Sequence, residues 1–223
     1  MAFEIKITGD GSPTIYLPHL DEHYHSTHGA TQESMHVFIR HGLLHKIENG
    51  EKEFNILEIG FGTGLNLLLT FRENINRDCR IYYEALEPFP LPEEIIQKIH
   101  FSIPGIDNVA LLYQQVHHLS FDEIHNLSIN TQLKKTKITL EDFTPRLKYN
   151  LIYFDAFGPR VQPDIWSLLN FKKLFDNLMP GGVLVTYCAK GEVRRIMQAA
   201  GFHIEKLAGP PGKREMLRAT KLH

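Results

Sequence analysis

The chain has 223 residues, of which 43% are hydrophobic and 22% charged, and these values are ordinary for one globular domain over residues 1–223. Its formal net charge of −2 excludes a protein that binds nucleic acid through overall charge. No apolar stretch has the length or setting of a membrane span or a signal peptide, so we expect neither. Because Cys79 and Cys188 lack metal or redox spacing, we expect reduced thiols in the cytoplasm.

The N-terminal region, residues 1–50, is expected to form a hairpin, a lid and a helix. Residues 3–8 and 14–17 flank a turn that contains glycine and proline, which predicts the hairpin. Apolar residues at helical spacing predict a helix over residues 31–47. The segment between them holds four of the 13 histidines, namely His19, His23, His25 and His28. Such a run can ligate zinc, but no cysteine supports a metal, so we expect none and interpret the loop as solvated or substrate-facing.

A glycine-rich loop then connects an apolar strand, residues 54–59, to a helical pattern, residues 65–71. Glycines at alternate positions let the backbone turn sharply and let a ligand approach without meeting a Cβ. The G-x-G-x-G spacing differs from that of dinucleotide folds and is similar to the loop of Rossmann-like methyltransferases, which holds the amino-acid end of S-adenosyl-L-methionine. A tight turn without a ligand is the alternative. The predicted cofactor residues are Glu58, Gly60, Phe61, Gly62, Thr63, Gly64 and Asn66.

A second apolar strand, residues 81–86, ends in Glu87 and Pro88. Pro88 stops the strand because it has no N–H to donate. An acid roughly 25 residues after a glycine loop suits a ribose, since a carboxylate can accept from both hydroxyl groups. Glu87 is therefore predicted to bind the cofactor, and a solvated acid is the alternative.

Residues 138–143 predict a third strand that ends in two acids, Glu141 and Asp142. We predict that the Asp142 carboxylate accepts from the amino group of adenine and that Phe143 lies against the ring. A solvated turn at these two acids is the alternative.

A fourth apolar strand, residues 149–154, ends in Asp155 and is followed by Phe157 and Pro159. Ligands of open α/β sheets lie beyond the carboxyl ends of the strands, so Asp155 is expected to face the same site as the other motifs. A carboxylate there can orient an acceptor nitrogen and stabilise the cation that forms. A structural aspartate that caps the next turn is the alternative.

The rest of the chain predicts a strand over residues 183–187, a helix over 191–200 and a terminal antiparallel pair over 202–207 and 215–220. This alternation predicts an α/β fold with a mixed, mostly parallel sheet and helices on both faces. Residues 117–137 show no clear pattern and are interpreted as an insertion, whose lysines form a solvated strand edge: Lys134, Lys135 and Lys137.

Residues 155–166 carry the most specific resemblance. Their sequence, Asp-Ala-Phe-Gly-Pro-Arg-Val-Gln-Pro-Asp-Ile-Trp, is similar to D-[AG]-F-[AS]-P-x-K-N-P-[ED]-x-W of the tRNA (5-methylaminomethyl-2-thiouridylate) methyltransferase family, which forms the methyltransferase half of bifunctional MnmC enzymes. The segments around Tyr24, residues 60–66 and residues 212–216 fall in the family's order. The family's Lys–Asn pair is Val161–Gln162 here.

The resemblance implies S-adenosyl-L-methionine as cofactor and methyl transfer to the amino group of 5-aminomethyl(-2-thio)uridine at the tRNA wobble position. Asp155 is the implied catalytic residue, which holds the amine through an N–H···O bond. Trp166 is interpreted as a packing anchor. The implied substrate-binding residues are Tyr24, Ser26, Glu33, Phe157, Pro159, Lys213, Arg214 and Glu215.

The implied partner is tRNA, and a basic rim is expected to meet its phosphates: Arg194, Arg195, Lys213 and Arg214. Internal ion pairs of Lys213 and Arg214 with Glu215 or Glu205 are the alternative. The flavin domain of the bifunctional relatives has no room in this length, so a separate flavin-dependent or upstream modification enzyme is expected to prepare the substrate.

Two other functions stay open at this point. An aminopropyltransferase of the spermidine-synthase type would want another acid in the glycine loop, where Phe61 and Thr63 stand. A non-catalytic RNA-binding protein could keep the same fold. The sequence leaves the oligomeric state and the choice of tRNAs open.

Overall fold

The computed structural model describes residues 2–222, and within them eleven strands form two sheets. The small sheet contains β1 (Glu4–Ile7), β2 (Pro13–Leu17) and β3 (Glu22–His23). The strands of the large sheet are β4 (Glu53–Ile59), β5 (Arg80–Leu86), β6 (Ile124–Asn126), β7 (Thr131–Thr136), β8 (Tyr149–Phe154), β9 (Leu178–Thr186), β10 (His203–Ala208) and β11 (Glu215–Thr220).

The large sheet has the order β10-β11-β9-β8-β4-β5-β7-β6. Its five inner strands, β9, β8, β4, β5 and β7, are parallel. Strands β10 and β11 form an antiparallel pair at one edge, and β6 is antiparallel to β7 at the other. The predicted mixed, mostly parallel sheet with a terminal antiparallel pair is therefore confirmed.

Helices cover both faces of this sheet. They are α1 (Ala30–Ser34), a π-helix (Met35–Leu44), α2 (His45–Glu48), α3 (Leu65–Asn74), α4 (Glu93–Ile96), α5 (Val109–His118), a 3₁₀ helix (Asp164–Trp166), α6 (Leu168–Asn177) and α7 (Gly191–Ala199). Because side chains alternate along a strand, Leu57 and Ile59 of β4 pack with α6 and α7, while Phe54 and Ile56 pack with the π-helix and α3.

The N-terminal region follows the prediction with two additions. The hairpin forms by pairing of β1 with β2, for example Glu4 with Tyr16. Strand β3, which was not predicted, adds to β2 and turns the following loop back toward the large sheet. The predicted helix is continuous from α1 to α2, but its central ten residues are π-helical. Gly42 in this stretch lets the helix lie close to the sheet, because an added Cβ would meet the Val185 side chain at 3.1 Å.

The strand prediction for residues 138–143 is wrong. The strand next to β5 is β7, Thr131–Thr136, inside the segment that had no readable pattern. Since β7 lies between β5 and β6, Lys135 is not on a solvated edge: it is 1% exposed, and its Nζ donates to the His117 carbonyl over 2.7 Å. Burial lowers the pKa of Lys135 to about 8. The sequence was misleading because a lysine-rich run looks like a surface strand whatever covers it.

The chain order places a crossing point at the carboxyl end of β4. The connections after β4 run outward to β5 and β7, and the chain then returns to the other side of β4 with β8. Open α/β sheets bind ligands at such a point, because the loops after the two central strands separate there. Within the described residues no helix is long and apolar enough to cross a membrane, and no three metal-binding side chains are grouped to hold an ion. Cys79 and Cys188 are buried free thiols.

Candidate active site

A cavity of about 610 Å³ lies at this crossing point. Four parts of the chain line it: the glycine loop after β4, the residues after β5, the segment 138–141, and the segment after β8. The lid between β2 and α1 covers it with His19, Leu20, Tyr24 and His25. The residues predicted from strand ends thus meet at a single cavity.

The glycine loop has the backbone that its sequence requires. Gly60, Gly62 and Gly64 have φ angles of 89°, 51° and 72°, a region that favours glycine. A Cβ on Gly60 would lie 2.9 Å from the carbonyl oxygen of Asp155, so the glycine also lets the loops after β4 and β8 lie side by side. Gly64 precedes α3, whose first N–H groups have no partner within the helix.

Two histidines outside the loop hold Thr63. The Nε2 atom of His117 lies 3.1 Å from the Thr63 carbonyl oxygen, and that of His25 lies 3.5 Å from its hydroxyl oxygen. Burial lowers the pKa of each imidazole to about 4, so both are neutral at pH 7. His25 thereby couples the lid to the loop without bringing a charge into the cavity. Of the four histidines in the lid, His25 is the one that contacts Thr63. The sequence alone could not identify it.

Glu87 lies beside the glycine loop, as its place after β5 predicted. Its Oε2 accepts from the Gly62 N–H over 2.8 Å, and its Oε1 accepts from the Phe89 N–H over 2.9 Å. Burial raises the pKa of Glu87, while these two N–H groups oppose the rise. Each carboxylate oxygen keeps a lone pair that a hydroxyl group in the cavity can use.

Asp155 shares a hydrogen-bonded chain with two residues of the loop region. Asn66 Nδ2 donates to Asp155 Oδ2 over 2.8 Å and to Glu58 Oε1 over 2.9 Å. Burial and then the charge of Glu33 raise the pKa of Asp155 well above its usual range, and the Asn66 hydrogen bond opposes this. Glu58 is fully buried, and burial raises its pKa strongly, so Glu58 supports Asn66 from behind rather than lining the cavity.

Lys213 forms an internal ion pair, but not with the acids that were considered. Its Nζ pairs with Glu33, a residue 180 positions away, and lies 3.8 Å from the centroid of the Tyr187 ring. Glu33 also accepts from the Ser26 N–H over 2.7 Å, so the predicted residues Ser26, Glu33 and Lys213 form one cluster outside the cavity lining. The prediction that Lys213 is available for phosphate is therefore wrong, because its charge is neutralised within the fold.

The other two residues of that motif point elsewhere. Glu215 pairs with Lys206 over 2.7 Å on the exposed surface, away from the cavity lining. Arg214 is exposed.

Residues 138–141 form a wall of the cavity in the region where the sequence predicted contacts from Asp142 and Phe143. Thr139, Leu140 and Glu141 line the cavity, whereas Asp142 and Phe143 do not. Asp142 is exposed, and its Oδ2 accepts from the Thr139 hydroxyl over 3.0 Å within a turn. Phe143 is 5% exposed and packs in the core beneath the sheet. Because this segment is a turn, its acids do not have the strand-end directions that the prediction assumed.

The segment after β8 meets the lid above the cavity. The rings of Phe157 and Tyr24 pack edge to face at 5.2 Å, and both line the cavity. Trp166 is 2% exposed, and its Nε1 donates to the Phe157 carbonyl over 2.8 Å, so it packs as an anchor. Pro159 is partly buried and lies outside the lining.

The same segment includes the two positions at which the sequence departs from the family pattern. Val161 and Gln162 line the cavity, and Gln162 Oε1 accepts from the Phe157 N–H over 3.1 Å. Arg160 holds the turn between β2 and β3 with hydrogen bonds to the Leu20 and Asp21 carbonyls, over 3.2 and 2.8 Å.

Comparison with known proteins agrees with this geometry. A family model described as S-adenosyl-L-methionine-dependent methyltransferase matches residues 103–222. The bifunctional protein MnmC of tRNA 5-methylaminomethyl-2-thiouridine biosynthesis from Cupriavidus necator is 30% identical over 96% of this chain, and that from Cupriavidus metallidurans is 32% identical over 94%. The chain spans about a third of the length of these relatives, 34% and 32% respectively.

Among solved structures, the crystal structure of MNMC2 from Aquifex aeolicus superposes with a TM-score of 0.81. The match covers 98% of this chain and 70% of that one, at 23% sequence identity. At this identity the match shows a common fold, including the N-terminal extension, since nearly the whole chain superposes.

Proposed function

Because the chain belongs to the family of S-adenosyl-L-methionine-dependent methyltransferases, we propose that it methylates the amino group of 5-aminomethyl(-2-thio)uridine at the tRNA wobble position. The observation that carries the proposal is the position of Asp155, which faces one cavity together with the glycine loop and Glu87. The names of the relatives point to the same nucleoside. Because this family consists of methyltransferases, it favours methyl transfer over aminopropyl transfer and over a non-catalytic role.

The cavity fits the cofactor at both polar ends of that molecule. The glycine loop leaves backbone N–H groups at the start of α3, which suit a carboxylate. The Oδ1 atom of Asn66 is buried without a hydrogen-bond partner, and Asn66 lines the cavity, so it can accept from the amino group of the methionine part. Glu87 is the group for the ribose hydroxyls. An orphaned buried acceptor is costly unless a ligand satisfies it, which supports this placement.

The base end of the cavity is the wall 138–141 together with Ile165. Ile138, Leu140 and Ile165 give apolar surface for a ring, and Glu141 is the carboxylate at hand. We assign to Glu141 the recognition of the adenine amino group that the sequence suggested for Asp142. Its Oε1 is already oriented by Asn170 Nδ2, over 2.8 Å.

Asp155 is the group that meets the acceptor amine. The bound cofactor supplies an electrophilic methyl group, and the amine must present a lone pair to it. The partly desolvated cavity favours the neutral amine. The Asp155 carboxylate accepts an N–H bond from it, orients the nitrogen, and stabilises or accepts the proton of the ammonium that forms. A raised pKa makes Asp155 a better proton acceptor than an exposed aspartate.

Recognition of tRNA is assigned to the surface beside the cluster of Glu33 and Lys213. Arg214 follows Lys213 in the chain and is exposed, so it replaces Lys213 as the phosphate contact in our proposal. In this proposal Tyr24 of the lid and Phe157 of the segment after β8 cover the target nucleotide. The substrate amine must already be present in the tRNA, so a reaction that installs this amine precedes methyl transfer.

The test is a methyl-transfer assay with purified chain, S-adenosylmethionine labelled in the methyl group, and bulk tRNA that carries 5-aminomethyl-2-thiouridine. Label in the wobble nucleoside, identified by chromatography of the digested tRNA, is the expected result. The control is the same tRNA carrying an unmodified uridine at that position. Methylation of a different nucleoside, or of neither tRNA, would refute the proposed substrate.

A further inference from the structure

Residues 138–141 wall the cavity although they are not part of any strand. A segment without ladder partners must satisfy its backbone groups in another way. Here one side chain does so: Lys173 Nζ donates to the carbonyl oxygens of Leu140, Glu141 and Phe143, over 2.8, 2.7 and 3.0 Å.

The chemistry of lysine suits this arrangement. An ammonium group has three N–H donors, and each carbonyl takes one, so the donors of Lys173 are fully used. Lys173 lies on α6, which is fixed against the sheet by Phe171 and Leu174, both 0% exposed. The wall is therefore tied to a rigid element rather than to its own sequence neighbours.

A second residue of α6, Asn170, fixes the side chain of Glu141. Asn170 is 1% exposed, and its Nδ2 donates to Glu141 Oε1 over 2.8 Å. Lys173 thus holds the backbone of the wall, and Asn170 holds its carboxylate. Both contacts come from one face of one helix, since positions three apart are neighbours on a helix.

We propose that Lys173 is a positioning residue that sets the wall Thr139–Glu141 and thereby the enzyme's preference for a purine that carries an amino group. This inference rests on the proposed function, in which Glu141 recognises that group. Lys173 does not line the cavity, so its effect reaches the ligand only through the wall.

The experiment compares two cofactor products that differ at one group: S-adenosylhomocysteine, which has the amino group, and S-inosylhomocysteine, which has an oxo group instead. Calorimetry gives the dissociation constant of each for the wild type, Lys173→Met and Lys172→Met. Lys172 is the matched control, because it is the neighbouring lysine on α6 and is exposed. We expect Lys173→Met to lose about 10-fold in affinity for the adenosyl ligand and little for the inosyl ligand, so that the preference shrinks. Lys172→Met should keep the wild-type preference.

Catalysis provides an independent readout. Lys173→Met should raise the KM for S-adenosylmethionine and leave kcat at saturation nearly unchanged, because Asp155 is not part of the wall. If Lys173→Met is folded and keeps the wild-type preference, the positioning role is refuted while the proposed function stands. If the wild type itself shows no preference, recognition by Glu141 fails and the inference fails with it.

If Lys173→Met does not fold, Lys173→Arg replaces it in the binding experiment. It keeps the charge, but a planar guanidinium cannot direct three donors to three converging carbonyls as an ammonium does. A reduced preference in Lys173→Arg supports the proposal, and a wild-type preference overturns it.

Discussion

Glu87 and Asp155 each follow a parallel strand and each line the same cavity, yet their surroundings differ. Glu87 accepts two backbone N–H groups, which hold both of its oxygens in place. Asp155 accepts from a single side chain, Asn66, and has another acid, Glu33, near enough to raise its pKa. Backbone donors cannot move away, whereas side-chain neighbours and their charges can.

This difference in hydrogen-bond partners distinguishes Glu87, a group that binds the cofactor, from Asp155, a group that takes part in the reaction. A carboxylate fixed by two backbone N–H groups is preorganised to accept hydroxyl groups and has little reason to change its protonation. Burial and a second acid both raise the pKa of Asp155 against one opposing amide hydrogen bond, and carboxyl groups perturbed in this way are typical of catalytic sites. Three predictions test this division and a fourth tests the surface outside the cavity, in order from the largest expected effect to the smallest.

The largest effect is expected for Asp155→Ala. Methyl transfer should fall about 100-fold or more, because a positioned catalytic group is lost, while affinity for S-adenosylmethionine stays nearly unchanged. Single-turnover rates and calorimetry measure the two quantities separately. Near wild-type turnover in this variant would make Asp155 structural and remove the distinction from Glu87.

Glu87→Ala should show the opposite pattern. Loss of charge-assisted hydrogen bonds to the ribose should weaken cofactor binding by about 1–3 kcal/mol, with a smaller effect on turnover at saturating cofactor. Part of this loss comes from the freed Gly62 N–H. Glu141→Ala is the useful comparison, since it removes a cavity carboxylate that does not contact the loop. Unchanged affinity in Glu87→Ala would exclude Glu87 from the cofactor site.

The pH dependence of methyl transfer should distinguish the two carboxylates further. The ionised form of Asp155 is the active one, and burial raises its pKa, so the rate should fall as pH drops through this raised pKa. Asn66→Ala removes a hydrogen bond that lowers the pKa, so the acidic limb should move to higher pH. Glu33→Gln removes a charge that raises it and should move the limb to lower pH. The substrate amine titrates identically in all variants, so displacement between profiles of kcat/KM reports the enzyme. Identical profiles would mean that Asp155 does not control the rate.

The smallest effect concerns tRNA, outside the cavity. Arg214→Ala should weaken binding of every tRNA alike and flatten the slope of log affinity against log salt by about one, the loss of one phosphate contact. Arg77→Ala is the control, because Arg77 is an exposed arginine that pairs with Glu73 just beyond the end of α3 opposite to the glycine loop. An unchanged slope in folded Arg214→Ala would place the phosphate contacts on another face.

Strand ends were predictable from the sequence for a physical reason. A buried parallel strand is a short apolar run, and the residue that ends it must face the edge where ligands bind, so Gly60, Glu87 and Asp155 could be placed together before the fold was known. Periodicity also predicted the hairpin and the terminal pair. Patterns of this kind involve residues that are close in the chain, so a single sequence is enough to detect them.

Contacts between distant segments could not be predicted in this way. The pairing of Lys213 with Glu33, the burial of Lys135 and the three carbonyls around Lys173 depend on which elements lie next to each other. The third strand was misplaced for the same reason, since residues 138–143 are as apolar as a strand but have no neighbour to pair with. The contacts of residues 138–141 with α6 are what make this segment a wall of the cavity.

The sequence by itself therefore determined the class of fold, the glycine loop and the two strand-end carboxylates, because these follow from backbone sterics and the alternation of apolar residues. The tertiary structure decided that Glu141 rather than Asp142 faces the cavity, that Lys213 is neutralised by Glu33, and that α6 supports the wall. Those outcomes depend on the register and packing of segments more than 30 residues apart, as the separations of 32 and 180 positions in two of these contacts show. A charge or a carbonyl then takes whichever partner the fold brings within hydrogen-bonding distance.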